Sequence, residues 1–343
     1  MSRVKHITLD HFTSFAALDQ ELSPGVNVII GANGTGKTHL LKVLYTACAV
    51  TAGGDKEQGF ARKLRNVFNP YESRVGRLAR RQSASFKARV VVTREGDARL
   101  AVEFSEHAKR PEEVEVTGED AWSRDELLSA YIPVKEMLAH APGFLATAAR
   151  REIAFEEVYV DIIQRAFLPR LKGPAGADRQ RLLTALEGAM GGEVVAKGEH
   201  FFLRSEQGEL EFTLLAEGLR KLCLIWLLIQ NGTLRSGAAL FWDEPEANLN
   251  PSLMGEVVEV LLELQRMGVQ VFLATHSYVL LKELDLRTRA GDQLRYLSLF
   301  RDESGAVVAS ASESYLGVDP NTIAATFSDL YDRELTRSLG LKS

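Results

Sequence analysis

The chain has 343 residues, of which 45% are hydrophobic and 25% charged, and its formal net charge is −5. This length suggests roughly two domains, or one elaborated domain, with a large core, and the global charge identifies no class of partner. No apolar signal segment follows the N-terminus, and the longest apolar run, Leu222 to Ile229, is too short to cross a bilayer. The two cysteines, Cys48 and Cys223, lack a metal-ligand spacing, so we expect a soluble protein in the reducing cytoplasm, without a membrane partner.

The first predicted elements are strands that lead into a glycine-rich loop. Val4 to Leu9 alternates like a strand, and Gln20-Glu21-Leu22 is predicted to be its hairpin partner. The β-branched run Val26 to Ile30 then precedes Gly31-Ala32-Asn33-Gly34-Thr35-Gly36-Lys37-Thr38, and a helix follows to about Thr51. The octet has the P-loop pattern of glycine, any four residues, glycine, lysine, and serine or threonine.

A strand, a glycine turn and a helix N-terminus together form a phosphate cradle. The glycines allow backbone N–H groups to face a β-phosphate, Lys37 would reach the β- and γ-phosphates, and the Thr38 hydroxyl would ligate Mg²⁺. We include His39, the next residue, among the expected nucleotide contacts. The alternative is a glycine turn that only resembles a P-loop, which the complete octet and both flanks disfavour.

A basic segment, Lys56 to Arg89, follows the P-loop helix in this acidic chain. Its positive residues are Lys56, Arg62, Lys63, Arg65, Arg74, Arg77, Arg80, Arg81, Lys87 and Arg89. The acids Glu57 and Glu72 oppose them, and the aromatic residues Phe60, Phe68 and Tyr71 are interleaved. The pattern predicts a surface for DNA, RNA or phosphate, and a solvated face or an acidic protein interface remains the alternative.

The middle of the chain alternates between predicted strands and helices. Phe86–Thr93 and Arg99–Phe104 form a predicted hairpin, Glu113–Thr117 a possible strand, and Ser123 to about Ala130 the start of a helical section. Further helices are predicted over Lys135–Leu138, Phe155–Phe167 and Asp178–Glu187, and further strands over Glu193–Ala196, His200–Arg204 and Leu210–Leu214.

The C-terminal third has the clearest α/β alternation. The predicted strands cover Ala238–Trp242, Val269–Ala274 and a pair at Arg295–Phe300 and Ala306–Ala309. A helix over Glu217–Ile229 precedes the first of these strands, and a helix that begins with Asn250 as its cap and Pro251 follows it. A final amphipathic helix is marked by Ile323, Phe327 and Leu330. The alternation predicts an α/β sheet that is mostly parallel at its centre.

Chemically active side chains follow two of these strands. Asp243 and Glu244 end an apolar strand, at the edge where open α/β sheets bind ligands, so Asp243 would bind Mg²⁺ and Glu244 would act as general base toward water. His276 follows the next strand and could sense the γ-phosphate and orient that water. The alternative is that these residues have no catalytic role: Asp243 and Glu244 would then form a charged turn at the end of a strand, and His276 would be a structural histidine.

These motifs resemble those of a known family. The P-loop, the run Asp243 to Pro251 and Ala274-Thr275-His276-Ser277 resemble the ABC-type ATPases of the SMC, RecF and OLD class. The resemblance implies a P-loop NTPase of the ABC-head type, with a mostly parallel central sheet, an antiparallel β subdomain and a helical insert. It also implies that ATP and Mg²⁺ are sandwiched between two heads of a homodimer.

The resemblance extends to a signature-like segment and a D-loop. Leu215 to Lys221 resembles the signature, so Glu217 and Gly218 would face the partner head's γ-phosphate, and Asn248 occupies the D-loop position. Ala216 stands where the family usually has serine, which removes a hydroxyl donor from the signature. Two further departures are Thr13 in place of a basic residue, and Tyr131 to Glu136 where a Q-loop glutamine is expected.

The resemblance implies an ATP-driven switch in DNA maintenance or in defence against phages and plasmids, with an effector protein on another chain. The alternatives are an ATP-binding scaffold with little turnover and the nucleotide-binding subunit of an ABC transporter. No heptad run or acidic triad indicates a coiled-coil arm or a fused Toprim nuclease.

We expect one head whose successive segments are the N-terminal strands with the P-loop (1–54), a basic insert (55–89), a β-hairpin region (90–120), a helical lobe (121–214), and the signature, Walker B, D-loop and H-loop core (215–343).

Overall fold

The computed structural model describes residues 3–52, 54–81, 86–150, 155–173 and 176–339. Residues 82–85 of the basic segment therefore lie outside the described part of the chain.

The strands in chain order are β1 (Val4–Phe12), β2 (Phe15–Glu21), β3 (Val26–Gly31), β4 (Lys87–Arg94), β5 (Arg99–Ser105), β6 (Glu115–Thr117), β7 (Ser129–Ile132), β8 (Glu193–Lys197), β9 (His200–Ser205), β10 (Gly208–Glu211), β11 (Ala239–Asp243), β12 (Gln270–Thr275), β13 (Leu294–Arg301) and β14 (Val307–Ser312). The α-helices are α1 (Lys37–Ala49), α2 (Phe60–Phe68), α3 (Glu119–Trp122), α4 (Phe144–Ala149), α5 (Glu157–Ala166), α6 (Ala177–Met190), α7 (Glu217–Gln230), α8 (Met254–Arg266), α9 (Tyr278–Arg287) and α10 (Thr322–Ser338).

Eleven strands form one mixed sheet in the order β6-β5-β4-β1-β2-β14-β13-β3-β12-β11-β7. The five strands from β13 to β7 run parallel to one another, whereas β6, β5, β4, β1 and β2 form an antiparallel meander. Strands β8, β9 and β10 form a separate antiparallel sheet. The predicted α/β fold, with a parallel centre and an antiparallel β part, is confirmed.

The central parallel strands β3, β11 and β12 are buried on both faces, as their largely apolar sequences require. In β11, Leu240 and Trp242 pack into a core formed with α6, α7 and α8, whereas Ala239 and Phe241 pack into a second core formed with α1 and α2. Because successive strand residues point to opposite faces, one short strand serves both cores. The sheet thus fixes the ends of β3, β11 and β12 at one edge.

The segment that contains β7 corrects the sequence-based prediction. Ser123–Ala130 was predicted to begin a helix, but Ser129–Ile132 forms β7, the buried edge strand beside β11. Pairing with β11 outweighs the weak helical pattern. The predicted helix over Lys135–Leu138 is also wrong, since the described helix there is a single 3₁₀ turn over Leu138–His140.

Two other predictions need smaller changes. The strand predicted over Leu210–Leu214 ends at Glu211, and Phe212–Leu214 forms a 3₁₀ turn. The final helix α10 exists, but none of its residues is buried, and Phe327 stacks on Tyr278 of α9 with ring centroids 4.4 Å apart. Within the described ranges, no helix is both long and apolar enough to span a membrane.

Candidate nucleotide-binding site

The loop between β3 and α1 requires glycine at two positions. Gly31 has φ 149°, and a Cβ there would lie 2.2 Å from the Leu299 carbonyl oxygen. Gly36 has φ 95° and caps α1, and a Cβ there would lie 2.1 Å from the Ser14 hydroxyl. Side chains are excluded at both positions, so the backbone can turn directly into the N-terminus of α1.

Lys37 lies folded back onto this loop. Its Nζ donates to the carbonyl oxygens of Gly31 at 2.8 Å and Ala32 at 3.1 Å. Burial lowers the pKa of Lys37, and the nearby carboxylates of Glu244 and Asp243 oppose that shift. A partly desolvated ammonium held by neutral carbonyls is suited to exchange them for phosphate oxygens.

Asp243 ends β11 and is 2% exposed. Its Oδ2 accepts a hydrogen bond from the Tyr131 hydroxyl at 3.2 Å, whereas its Oδ1 has no hydrogen-bond partner in the described structure. Burial raises the pKa of Asp243, and the neighbouring Thr38 and Tyr131 hydroxyls oppose the rise. A buried carboxylate oxygen without a partner, beside a threonine hydroxyl, is the oxygen donor set that Mg²⁺ prefers.

Glu244 and His276 meet at the same edge of the sheet. Glu244 has φ 48°, a left-handed conformation, and its Oε1 lies 3.3 Å from His276 Nδ1. Glu246 holds the loop after β12, because its Oε1 accepts hydrogen bonds from the Thr275 hydroxyl at 2.7 Å and from the backbone N–H of His276 at 3.0 Å. Sequence analysis had not assigned Glu246 a role, although it lies inside the run Asp243 to Pro251.

The signature-like segment contacts the D-loop of the same chain. A Cβ at Gly218 would lie 2.9 Å from the Asn248 carbonyl oxygen, so the start of α7 at Gly218 lies against the turn after β11. Lys221 is 1% exposed and donates to the Ala247 carbonyl at 2.7 Å. Ala216, the N-cap of α7, makes no side-chain capping hydrogen bond.

The segment that follows β7 also contacts α7. Glu136, whose side chain is 1% exposed, lies with its Oε2 3.1 Å from Arg220 Nε. Burial raises the pKa of Glu136, and its hydrogen bonds and the Arg220 charge oppose the rise. The segment expected to carry a Q-loop glutamine therefore links the edge strand to the signature helix through an ion pair.

A cleft of about 660 Å³ lies on the Ser14 side of the P-loop, and its lining includes His39, Phe68, Arg77 and Arg80. The His39 and Phe68 rings are 5.6 Å apart. Burial, with a smaller contribution from Lys42, lowers the pKa of His39 to about 4. His39 is therefore neutral near pH 7 and offers an uncharged ring to the cleft.

The basic segment is less exposed than its composition suggests. Lys63 is 0% exposed, and its Nζ lies 2.6 Å from Asp55, 2.8 Å from Asp161 and 3.1 Å from Glu157. Its inclusion among surface cations is therefore wrong. These three acids could otherwise surround a metal ion, but the Lys63 ammonium already lies among them. The exposed members of the segment are Lys56, Arg62, Arg74, Arg77, Arg81, Lys87 and Arg89.

Two family models match the chain. Residues 124–282 match a family described as an AAA domain, putative AbiEii toxin, Type IV TA system, and residues 6–132 match a family described as an AAA domain. The first match contains Asp243, Glu244 and His276, and the second contains the P-loop.

Curated relatives match over shorter stretches. The DNA replication and repair protein RecF of Lacticaseibacillus casei (strain BL23) is 32% identical over 97 residues, which cover 27% of this chain and 24% of RecF. The L-cystine import ATP-binding protein TcyN of Bacillus subtilis (strain 168) is 39% identical over 69 residues, which cover 20% of this chain and 22% of TcyN. The chain thus spans about a quarter of the length of these relatives.

A solved structure shows the fold over nearly the whole chain. The Smc head domain with an extended coiled coil, bound to the C-terminal domain of ScpA and derived from Pyrococcus furiosus, superposes with a TM-score of 0.57 at 12% identity. The superposition covers 97% of this chain and 100% of that chain. The P-loop, the two AAA-domain matches, the similarity to RecF and this fold together support an ABC-type ATPase of the SMC and RecF class.

Proposed function

We propose that the chain binds ATP with Mg²⁺ and hydrolyses it to ADP and phosphate. The observation that carries the proposal is the unpartnered, buried Oδ1 of Asp243 beside Thr38, at the edge where Lys37 also lies. Thr38 and Asp243 would hold the metal, which would neutralise charge on the phosphates. Residues Gly31 to Thr38 would hold the phosphate chain through their backbone N–H groups.

Hydrolysis would proceed by in-line attack of water on the γ-phosphate. Glu244 would accept the proton of that water, and His276, 3.3 Å from its carboxylate, would help to orient the water. Lys37 would leave the loop carbonyls and stabilise charge on the γ-phosphate oxygens. Most of the rate enhancement would come from positioning and charge stabilisation, because phosphoryl transfer needs little covalent help.

The adenosine half of the nucleotide would occupy the cleft beside the P-loop. The neutral His39 ring and Phe68 offer surfaces on which a base can pack, and Arg77 and Arg80 supply positive charge where Thr13 does not. This position would give part of the basic segment a role in nucleotide binding.

We further propose that two copies close around ATP. The first N–H groups of α7, at Glu217 and Gly218, would face the γ-phosphate held by the partner head, and Asn248 would contact the partner beside them. The proximity of Gly218 to Asn248 supports a shared surface, because both would then lie on the same face of the dimer.

The proposed role is a cytoplasmic ATP-driven switch in DNA maintenance, or in defence against phages and plasmids, that acts through an effector protein. The relative RecF is a DNA replication and repair protein, and one matching family is described with a Type IV toxin–antitoxin system. The exposed arginines Arg74, Arg77 and Arg81 would supply the contact to DNA phosphates.

The test is steady-state ATP turnover of the purified chain with and without duplex DNA at low salt. We expect measurable turnover that Lys37→Ala and Glu244→Gln abolish. A several-fold increase with DNA would support the DNA role. Charge reversal at Arg74, Arg77, Arg80 and Arg81 should then lower DNA affinity and its salt dependence in binding assays without ATP. Absence of turnover in the wild type, with ATP bound, would refute hydrolysis.

A second candidate is an ATP-binding scaffold with negligible turnover. The observation in its favour is Ala216, which leaves the N-terminus of α7 without a side-chain cap and the partner's phosphate without a hydroxyl donor. ATP binding without turnover, together with ATP-dependent capture of a protein partner, would favour this candidate.

A further inference from the structure

We propose that Tyr131 is a positioning residue for the metal carboxylate: its hydroxyl binds Oδ2 of Asp243 and so leaves Oδ1 as the oxygen that meets the metal. The inference rests on the proposed function, because it concerns the metal ligand of the same site. It assigns a role to a residue that lies on the edge strand β7, outside the P-loop and the run Asp243 to Pro251.

The strand register brings the two side chains together. β7 and β11 run parallel, and Tyr131 pairs with Phe241, two residues before Asp243. Because alternate residues share a face of the sheet, Phe241 and Asp243 lie on one face, and Tyr131 reaches Asp243 diagonally along it. Tyr131 is 1% exposed, so water does not compete for this hydrogen bond.

Aromatic packing holds the Tyr131 ring in place. The ring lies 5.4 Å from the ring of Tyr45 in α1, and Tyr45 in turn packs edge-on against Phe241 at 5.8 Å. The Tyr45 hydroxyl donates to Asp161 at 2.6 Å, and Asp161 pairs with Lys63. The donor to the metal carboxylate is thus backed by the P-loop helix and by the buried ion cluster of α2 and α5.

The hydrogen bond removes a rotational freedom from Asp243. A carboxylate can turn about its terminal bond and exchange its two oxygens, but a buried donor on one oxygen selects one orientation. The phenol is a donor at neutral pH, because a tyrosine hydroxyl ordinarily loses its proton only near pH 10. Groups that orient metal ligands in this way commonly change metal affinity by about 10- to 100-fold when they are removed.

The experiment compares Tyr131→Phe with Tyr45→Phe in the full chain. Each variant removes one buried hydroxyl and keeps the ring, but the Tyr45 hydroxyl binds Asp161 rather than Asp243. A fluorescent ATP analogue is titrated with Mg²⁺, and its binding is also measured in excess chelator. Thermal unfolding by circular dichroism confirms that each variant is folded.

We expect Tyr131→Phe to raise the Mg²⁺ concentration for half-maximal binding by about tenfold, with unchanged binding in chelator. Saturating Mg²⁺ should restore most of its turnover, which a general loss of structure would not allow. Tyr45→Phe should change the Mg²⁺ midpoint by less than about twofold. In an Asp243→Asn background, Tyr131→Phe should add less than about twofold, because the partner carboxylate is gone.

An unchanged Mg²⁺ midpoint in Tyr131→Phe, with a metal-dependent wild type, would overturn the inference and leave the proposed function intact. An equal shift in Tyr45→Phe, or a full further shift in the Asp243→Asn background, would also overturn it, because the effect would then be structural. Failure of the wild type to bind the analogue at any Mg²⁺ concentration would overturn the proposed function and the inference together.

Discussion

Replacement of Lys63 by methionine tests whether this residue of the basic segment stabilises the fold or binds a partner. The side chain is fully buried, and its ammonium lies within 3.1 Å of three carboxylates, those of Asp55, Glu157 and Asp161. Methionine fills a similar volume but removes the charge. The variant therefore leaves the acids to repel one another in a poorly hydrated site.

The expected loss follows from the exposure of the three acids. Removal of one partner from a buried ion pair costs about 3–5 kcal/mol. The side chain of Asp55 is 43% exposed and can turn to water, whereas those of Glu157 and Asp161 are 20% and 10% exposed. We therefore expect the lower end of the range, a loss of about 3 kcal/mol in the free energy of unfolding at pH 8.

The loss should depend on pH in a defined direction. Burial raises the pKa of Asp161 to about 6, while the Lys63 ammonium opposes the rise. A folded-state pKa above the unfolded value means that stability falls as pH rises through the interval between them. Without the Lys63 ammonium the folded-state pKa of Asp161 rises further, so the interval between the unfolded and folded pKa values extends above pH 6. The free energy of unfolding of the variant should therefore fall more at pH 8 than at pH 5, by up to about 1.4 kcal/mol per pH unit.

Urea denaturation at both pH values measures the effect. Arg77→Met is the matched control, because Arg77 belongs to the same basic segment but is exposed, and its loss should stay within about 0.5 kcal/mol. Equal stability of the two variants at pH 8 would refute the reasoning. A loss of DNA affinity in a fully stable Lys63→Met protein would return this residue to the binding surface.

Four further predictions concern the nucleotide site and its surroundings. Lys37→Ala should lose ATP affinity in calorimetry, and unchanged binding would show that the loop is not a phosphate cradle. Glu244→Gln should bind ATP and accumulate as a closed dimer in sedimentation experiments, so a monomer at saturating ATP would contradict the sandwich. The wild type, with a His39 pKa of about 4, should lose roughly 3 kcal/mol in the free energy of unfolding as pH falls from 6.5 to 4, because protonation of His39 favours the unfolded chain. His39→Asn lacks this titrating group, so its free energy of unfolding should fall less over the same pH range. Ala216→Ser should stabilise the N-terminus of α7 by about 1 kcal/mol in urea denaturation and raise turnover, and an unchanged rate would show that the missing hydroxyl does not limit hydrolysis.

The central fold was predictable because its signals are local. Val26 to Ile30, Ala238 to Trp242 and Val269 to Ala274 are runs with at most one polar residue each. Each forms a buried parallel strand whose bounds differ from the predicted ones by one residue at most at either end. A buried strand places the residues that follow it at the sheet edge. The meeting of the P-loop, Asp243 and His276 at one edge therefore follows from strand order alone.

The errors lie where long-range pairing decides local structure. Ser129–Ile132 is too short to show a strand period, and it becomes a strand because β11 offers a free edge 110 residues away along the chain, from Ser129 to Ala239. In the sequence, Lys63 is one more cation in a basic segment. Its burial cannot be predicted there, because its partners Glu157 and Asp161 lie almost 100 residues away along the chain. Composition alone cannot separate a buried ion pair from an exposed charge.

The same argument explains why the motif residues and the residues that hold them differ in predictability. Lys37, Thr38, Asp243 and Glu244 belong to short patterns in which backbone geometry and chemistry are encoded together. Their supports come from other elements: Tyr131 from β7, and Lys221 from α7. A supporting residue of this kind only has to place a hydrogen-bond donor at the right distance, and many different sequences can do so. No fixed sequence pattern therefore predicts it. We therefore infer that the chemistry of this site is set by the motifs, and that its metal affinity and coupling to α7 are set by contacts that only the folded chain brings together.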